Sequence, residues 1–250
     1  FAFSRTVTRP SFIEMAPFLY QESYGSAQIR GNADLQNGYN YNIDLRYELF
    51  EKNGDMLSIT AYYKHLKAPI ERVQTLSGGS AVHSFRNADN GMATGVEIEF
   101  RKEIVKDLRF GVNGSYMYTN VKLPEGGAYT NSQRALQGAS PYLANADLTY
   151  SPAFSNDRQL SVALLYNLQG PRIHSVGISG LGDIKQQPVH TLNFTGSYRF
   201  NRRFAVKLQV NDLLNQDILF KQEVPTTGDK VEVERFRKGT GFEVGFSYDL

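Results

Sequence analysis

The residues that most often carry chemistry in proteins stand apart from one another in this sequence. The four histidines, His65, His83, His174 and His190, form no i, i+4 pair, and no set of carboxylates accompanies them at metal-ligand spacing. We therefore expect these histidines on the surface or at strand ends. Cysteine is absent, which excludes a disulfide framework and any thiolate metal site.

Other short patterns also fall short of a reactive site. Gly177-Ile178-Ser179-Gly180 lacks the spacing of a nucleophile elbow and is better explained as a loop tip. Gly78-Gly79 and Gly126-Gly127 lack the Lys-Ser or Lys-Thr and the helix that would complete a phosphate-binding loop. Glu97 and Glu99 share one face of a predicted strand, and exposure of that face to water is enough to explain two carboxylates there. The sequence predicts no enzyme and no cofactor.

The elements that would position any site are predicted by a persistent alternation of apolar and polar residues. At the end of the chain Phe242, Val244, Phe246, Tyr248 and Leu250 alternate with polar residues or glycine. Similar segments cover 1–9, 41–50, 56–66, 94–104, 108–120, 141–151, 158–169, 189–200 and 204–211. These make about ten strands, each near the length that a tilted strand needs to cross a bilayer.

The connections between these segments alternate strictly between short and long. The short ones are 51–55, 105–107, 152–157 and 201–202, and the long ones are 10–40, 67–93, 121–140, 170–188 and 212–240. A transmembrane barrel has tight turns on its periplasmic side and extended loops outside. The pattern predicts an all-β, antiparallel transmembrane barrel of the bacterial outer membrane, with extracellular long loops and a periplasmic C-terminus.

A soluble all-β protein is the alternative, because alternation alone requires only one buried face. Aromatic residues near the predicted strand ends favour the barrel, as do charged residues on the polar face that a wet lumen would accommodate. The aromatics are Tyr47, Phe50, Tyr150, Phe200, Phe204 and Tyr248 at the tight-turn side, and Tyr41, Tyr63, Tyr118 and Tyr166 at the loop side. The charged residues are Asp44, Arg46, Glu48, Glu97, Glu99, Arg101, Arg109 and Arg199.

Charge and hydropathy narrow the partners. The net charge is only +2 and the two signs are interleaved, so no basic stripe is available for nucleic acid. Mean hydropathy is −0.40 and no apolar run reaches 18 residues, so the sequence predicts no transmembrane helix. The expected surroundings are outer-membrane lipid and lipopolysaccharide.

Several strings resemble the C-terminal barrel half of TonB-dependent receptors. Ser4 to Phe12 is similar to the family's strand-exit motif ending in Arg-Pro, and Gly31-Asn32-Ala33-Asp34-Leu35 resembles its Gly-Asn-Pro-x-Leu loop, with Ala33 in place of proline. Asn87 with 95–99 matches another stretch, and 211–215 resembles the Asn-Leu-Phe-Asn motif. Their order and spacing cover nearly the whole chain.

The resemblance implies an outer-membrane receptor that imports a scarce nutrient and is energised through TonB. Residues 1–250 would be the C-terminal part of a plugged barrel of roughly 22 strands. The plug, the segment contacting TonB and the first strands would precede Phe1, which begins in mid-strand without an initiator Met or signal peptide. We expect residues 1–9 to end an open wall and not to close on 241–250.

The last strand also resembles the signal read by the barrel-assembly machinery, which pairs with a final strand by edge addition. Its residues are Phe242, Val244, Phe246, Tyr248 and Leu250, with leucine where the family usually has phenylalanine. The nutrient cannot be read from the loops, where Tyr20, Tyr24, Arg30, Tyr129, Arg134 and Arg172 show no coherent preference. The functional alternatives are a passive porin and a barrel adhesin or structural protein; a barrel hydrolase would need convergent Asp, His and Ser residues.

Overall fold

The computed structural model describes residues 1–21, 28–51, 53–77, 80–123, 130–154, 157–177 and 180–248. Strands dominate these segments because alternating apolar residues recur along them, and one short helix, α1 (Phe12–Met15), follows the first strand. The strands are β1 (Ala2–Thr8), β2 (Leu19–Tyr20), β3 (Ile29–Arg30), β4 (Gly38–Phe50), β5 (Met56–Lys67), β6 (Ile70–Ser77), β7 (Ser80–Asn87), β8 (Asn90–Val105), β9 (Leu108–Lys122), β10 (Gln133–Arg134), β11 (Tyr142–Tyr150), β12 (Gln159–Gln169), β13 (Arg172–Ser175), β14 (Ile184–Gln186), β15 (Val189–Arg199), β16 (Phe204–Asn211), β17 (Ile218–Glu223), β18 (Lys230–Phe236) and β19 (Gly241–Tyr248).

The main sheet is eleven-stranded, with the order β1-β4-β5-β8-β9-β11-β12-β15-β16-β19 and with β10 added on β9. Its neighbours are antiparallel throughout. The strands of this path coincide with the alternating segments, so the predicted strands, all-β class and alternation of turn lengths are confirmed. In the described residues β1 and β19 are not paired to each other, and the sheet is open, as expected.

The pairing register keeps apolar side chains together across the whole sheet. Leu148 lies opposite Leu164, which lies opposite Phe194, and Val206 lies opposite Phe246. We call this side the apolar face and the other the polar face. The large side chains of the apolar face are exposed, including Phe246 at 72% and Leu208 at 39%. A continuous exposed apolar surface of this extent is unfavourable in water and suits a hydrocarbon environment.

The tight turns are stabilised by side chains that satisfy backbone groups. Asn53 accepts from the Asp55 N–H at 3.1 Å, and the Asp55 carboxylate accepts from the Glu103 N–H at 2.8 Å, which joins this turn to the end of β8. The Glu103 hydrogen bond holds the pKa of Asp55 below its usual value. Asp107 and Asp157 adopt positive φ of 65° and 58° in the next two turns, a conformation that aspartate tolerates.

The long connections contain more regular structure than the sequence indicates. Two four-stranded sheets form within them, β2-β3-β7-β6 and β13-β14-β17-β18, which we call the first and second loop sheets. The first includes a parallel pair, β3 with β7. Buried apolar residues concentrate at this end of the molecule, in clusters that include Ile29 with Phe85 and Val73 with Leu123.

A glycine beneath a tyrosine ring fixes the centre of the main sheet. Gly95 on β8 pairs with Tyr62 on β5, and a Cβ at Gly95 would lie 2.6 Å from the Tyr62 hydroxyl and 2.5 Å from the Tyr116 carbonyl oxygen. Gly114 on β9 differs, because a Cβ there would meet only the Leu143 carbonyl oxygen at 3.5 Å. Of these two glycines, Gly95 is therefore the one that the close approach of neighbouring atoms requires.

We expect Gly95→Ala to destabilise the complete barrel by about 1–3 kcal/mol, the usual cost of overpacking. Gly114→Ala is the matched control in the adjacent strand, and should change stability by less than about 0.5 kcal/mol. Urea unfolding of both variants in lipid vesicles measures the difference. Equal losses in the two variants would contradict the packing role assigned to the Tyr62 ring.

Candidate functional site

The polar face of the main sheet carries charges of both signs in neighbouring strands. Arg46 lies opposite Thr60, which lies opposite Glu97, so this row crosses β4, β5 and β8. Arg46 forms an ion pair with Glu48 at 2.8 Å, and Arg101 forms one with Glu99 at 2.5 Å. The charged residues of this group are all at least partly exposed, whereas Thr60 between them is buried. The charged residues predicted to share the polar face do share it.

Asparagine side chains continue this surface across the next three strands. Asn145 on β11 donates to Asn113 on β9 at 2.7 Å, and Asn167 on β12 donates to Asn145 at 2.5 Å. Asn145 both accepts from Asn167 and donates to Asn113, so the amides join three strands without net charge. A depression beside it is lined by Arg46, Thr60, Glu97, Glu99, Asn113 and Asn145.

Such a surface is suited to water or to a polar protein surface. Its amides and alternating charges offer many hydrogen bonds, but no single charge dominates that would select one small ion. A second depression, nearer the tight turns, is lined by Arg101, Glu103, Asp107, Arg109 and Asp147 and also mixes the two signs.

A buried histidine links the two loop sheets at the other end. Nε of Arg72 donates to Nδ1 of His83 at 2.8 Å, and Nε2 of His83 lies 3.3 Å from Oγ of Ser175, which belongs to β13 of the second loop sheet. Acceptance at Nδ1 leaves the neutral ring's proton on Nε2, which then donates to Ser175. His83 therefore contradicts the expectation of a surface histidine.

The other histidines agree with that expectation. His65 lies next to Tyr41 on the apolar face, and His190 bonds the Tyr166 hydroxyl at 2.6 Å near the loop end of β15. His174 is exposed and meets the edge of the Phe220 ring. In the described residues no group of three or more His, Cys, Asp or Glu could hold a metal ion.

Backbone and side-chain contacts close the loops further. Gly138 donates its N–H to the Ile173 carbonyl at 2.9 Å, Gln137 donates to the His174 carbonyl at 2.6 Å, and Thr130 donates to the Leu181 carbonyl at 2.6 Å. The loop between β9 and β11 is thereby attached to the loop between β12 and β15. These two loops therefore form one continuous surface.

The motif asparagines stabilise the first loop sheet. Asn32 donates to the Phe85 carbonyl at 3.0 Å. Asn87 donates to the carbonyls of Gln36 and Ala68, each at 2.9 Å, and its side-chain oxygen accepts from the Gln36 N–H. Their role in this structure is to tie loop backbone together.

The loop residues considered for ligand contact are divided by the structure. Arg134 is buried in an ion pair with Glu71, whose carboxylate lies 2.9 Å from the guanidinium. Arg172 donates to Gln186 at 2.7 Å, and Tyr20 packs against the cluster around Ile29. Arg30 is exposed. Tyr24 and Tyr129 lie outside the described residues, as do Gly78-Gly79 and Gly126-Gly127.

The ion pair between Glu71 and Arg134 could not be found from the sequence, because the two lie on different loops and neither belongs to a motif. Burial raises the pKa of Glu71, and the guanidinium of Arg134 opposes this only in part. The pair therefore forms a joint between β6 and β10. Removing either partner would leave the other charge buried and unpaired, which is costly in free energy.

The residues of the predicted assembly signal lie on the apolar face of β19. Phe242, Val244, Phe246 and Tyr248 are all exposed, at 57% or more, along the free edge strand. Leu250 falls outside the described residues. Among the described residues no helix is long and apolar enough to cross a membrane.

We expect Arg134→Met to lower the free energy of local unfolding of the loops that this pair joins by roughly 3–5 kcal/mol at neutral pH. The reason is that the variant leaves a buried carboxylate unpaired. Burial places the pKa of Glu71 in the folded protein above its value of 4.5 in the unfolded chain. Ionisation of Glu71 therefore disfavours the folded loops as the pH rises above the unfolded pKa. Lowering the pH below about 4.5 should therefore restore protection in the variant. Hydrogen exchange of the β6 and β7 amides measures both effects.

Two further variants control this test. Glu71→Leu combined with Arg134→Met removes both charges and should recover most of the protection. Arg235→Met breaks an exposed ion pair with Glu232 and should change protection little. Loss of protection in the double variant equal to that in Arg134→Met would contradict the joint.

Comparison with known proteins agrees with this architecture. The profile of the outer membrane protein beta-barrel family matches residues 1–248. No curated protein matches the sequence. Three solved structures that resemble the chain are the ferric enterobactin receptor of Pseudomonas aeruginosa (TM-score 0.65, 18% identity), the siderophore receptor PirA of Acinetobacter baumannii (0.63, 15%) and the copper transporter OprC (0.65, 14%).

These matches show a shared fold. Each covers 98% of this chain, but only 37%, 38% and 36% of the respective receptor or transporter chains. The chain thus spans little more than a third of the length of these structures. The family profile, the antiparallel register and the exposed apolar face agree, and the chain belongs to the outer membrane protein beta-barrel family.

Proposed function

We propose that this chain is the C-terminal part of the wall of an active importer, in which a plug domain fills the lumen and TonB supplies energy. The observation that carries the proposal is the polar face, with its interleaved charges and its row of asparagine amides. A complete barrel of roughly 22 strands would enclose a lumen wide enough for a plug. The polar face would then contact that plug and the water around it.

We infer further that the imported ligand is a small metal complex. The similar structures include a receptor for ferric enterobactin, a siderophore receptor and a copper transporter. The joined loops of this chain would form one side of the binding surface. Exposed Arg30 is one side chain that this surface presents.

Uptake measurements test the importer. The complete protein is expressed in a bacterial strain that lacks its other outer-membrane metal receptors. These cells should take up one or more labelled ferric siderophores or copper, and uptake should fall to background when TonB is deleted. Diffusion of a small hydrophilic sugar through the same protein is the control and should be negligible. Sugar diffusion that persists without TonB, in the absence of metal uptake, would favour a passive porin.

The orientation of the barrel is proposed from the two classes of connection. Residues 224–229 form a turn between β17 and β18, exposed at most positions, and should be cut by protease added to intact cells. The tight turns at Gly54 and Asp157 should stay protected until the outer membrane is breached. Cleavage at those turns in intact cells would mean that the long loops face the periplasm.

We also infer that the aromatic residues of β19 form the signal read by the barrel-assembly machinery. Phe246→Ala should reduce the amount of folded protein in the outer membrane, while the same variant still refolds from urea into lipid vesicles. Ser247→Ala changes the neighbouring residue on the polar face and should assemble normally. If Phe246→Ala fails equally in cells and in vesicles, the residue acts through stability and not through recognition.

A further inference from the structure

Cationic side chains interrupt the apolar face at the loop end of its first strands. The register places Arg5 of β1 opposite Tyr41 of β4, and Tyr41 opposite His65 of β5. The same face holds Phe3 opposite Ile43 one step nearer the centre. Arg5 and His65 therefore lie on the apolar face, near the loop ends of their strands, where a barrel wall meets the membrane interface.

The next row toward the loops adds two lysines. Tyr39 lies opposite Lys67, Lys67 lies opposite Asn90, and Asn90 lies opposite Lys122 of β9. Arg5, Lys67 and Lys122 are exposed, as is His65. We call Arg5, Tyr39, Tyr41, His65, Lys67 and Lys122 the basic rim.

The rim is organised around two tyrosine rings. The guanidinium carbon of Arg5 lies 4.4 Å from the centroid of the Tyr39 ring and 5.7 Å from that of Tyr41. The rings of Tyr41 and His65 are 6.2 Å apart. Stacking on tyrosine fixes the direction of the guanidinium and leaves its N–H groups available.

Nothing in the described residues neutralises these charges. None of Arg5, Lys67 and Lys122 has a carboxylate at ion-pair distance there. Asp89, whose backbone N–H donates to the Lys122 carbonyl, precedes β8, and its exposed side chain forms no ion pair with these cations. Among the described residues the rim is therefore a cationic surface without a counter-charge, next to an apolar one.

An apolar groove continues directly from the rim toward the middle of the strands. Ile43, Leu45, Tyr63, Val96, Tyr116 and Tyr118 line it. Ile43 lies opposite Tyr63, and Val96 lies opposite Tyr116, so the groove runs across β4, β5, β8 and β9, below the rim on the same face.

Cations above a lipid-facing groove match one kind of ligand. A phosphate group takes the charge and the N–H donors of Arg5 and Lys67, and hydrocarbon chains attached to it follow the groove. A soluble phosphate compound would leave the groove unfilled. A neutral lipid would leave the cations unpaired.

We propose that the basic rim and its groove bind a phosphorylated glycolipid of the outer leaflet, the lipid A part of lipopolysaccharide. Its phosphates contact Arg5 and Lys67, with Lys122 and His65 at the margin, and its acyl chains lie against Ile43, Tyr63 and Val96. The proposal rests on the long loops facing outward, which the protease experiment tests separately, and it does not depend on transport.

The test uses the complete protein in detergent micelles, titrated with bisphosphorylated lipid A or with the same lipid after enzymatic dephosphorylation. The double variant Arg5→Gln with Lys67→Gln should bind bisphosphorylated lipid A roughly 30-fold more weakly, since each basic residue near a charged lipid surface contributes about a factor of five. Dephosphorylated lipid A should bind weakly to both proteins, with no difference between them.

Lys102→Gln is the matched control. Lys102 shares the apolar face, because it lies opposite Phe110, but it stands at the tight-turn end of β8. This variant should bind bisphosphorylated lipid A as the unchanged protein does. Equal affinity of the unchanged protein for the two lipids, or equal losses in Lys102→Gln and the double variant, would overturn the proposal. Inorganic phosphate that displaces lipid A at a similar concentration would also overturn it, because the groove would then contribute nothing.

Discussion

Every backbone N–H and C=O group inside a hydrocarbon layer must be paired, and this constraint determines the arrangement of the main sheet. A strand that slipped by one residue would exchange its two faces. The register therefore has to remain the same from β1 to β19. Leu208 lies opposite Val244 and Lys207 lies opposite Gly245, so the last pair obeys the parity already set where Phe3 meets Ile43.

The tight turns maintain this parity. At the connection between β8 and β9, the register shifts between Glu103 and Val105, and Asp107 then takes a positive φ of 65°. The bulge absorbs one residue locally, so Phe100 still lies opposite Val112 on the apolar face. Asp55, which accepts from the Glu103 N–H, holds the adjacent turn against the same strand end.

The sequence predicts what depends on local periodicity and fails where distant segments meet. Alternation within 56–66 or 204–211 is a property of neighbouring residues, so these strands and their faces could be recognised without contacts. The parallel pairing of Ile29 with His83, and the contact of His83 with Ser175, join residues far apart in the chain. No repeating pattern marks such pairs, and the burial of Arg134 against Glu71 was invisible for the same reason.

The two halves of the molecule are consequently stabilised by different environments. The wall exposes Leu45, Phe246 and their neighbours, which need an apolar environment to cover them, whereas the loop sheets bury Ile29, Val73 and Phe220 against their own side chains. Substitutions in the wall are restricted by parity. Substitutions in the loops are restricted only by a small core and by joints such as Arg72 with His83. A protein built in this way can change the surface of its loops while the wall stays the same.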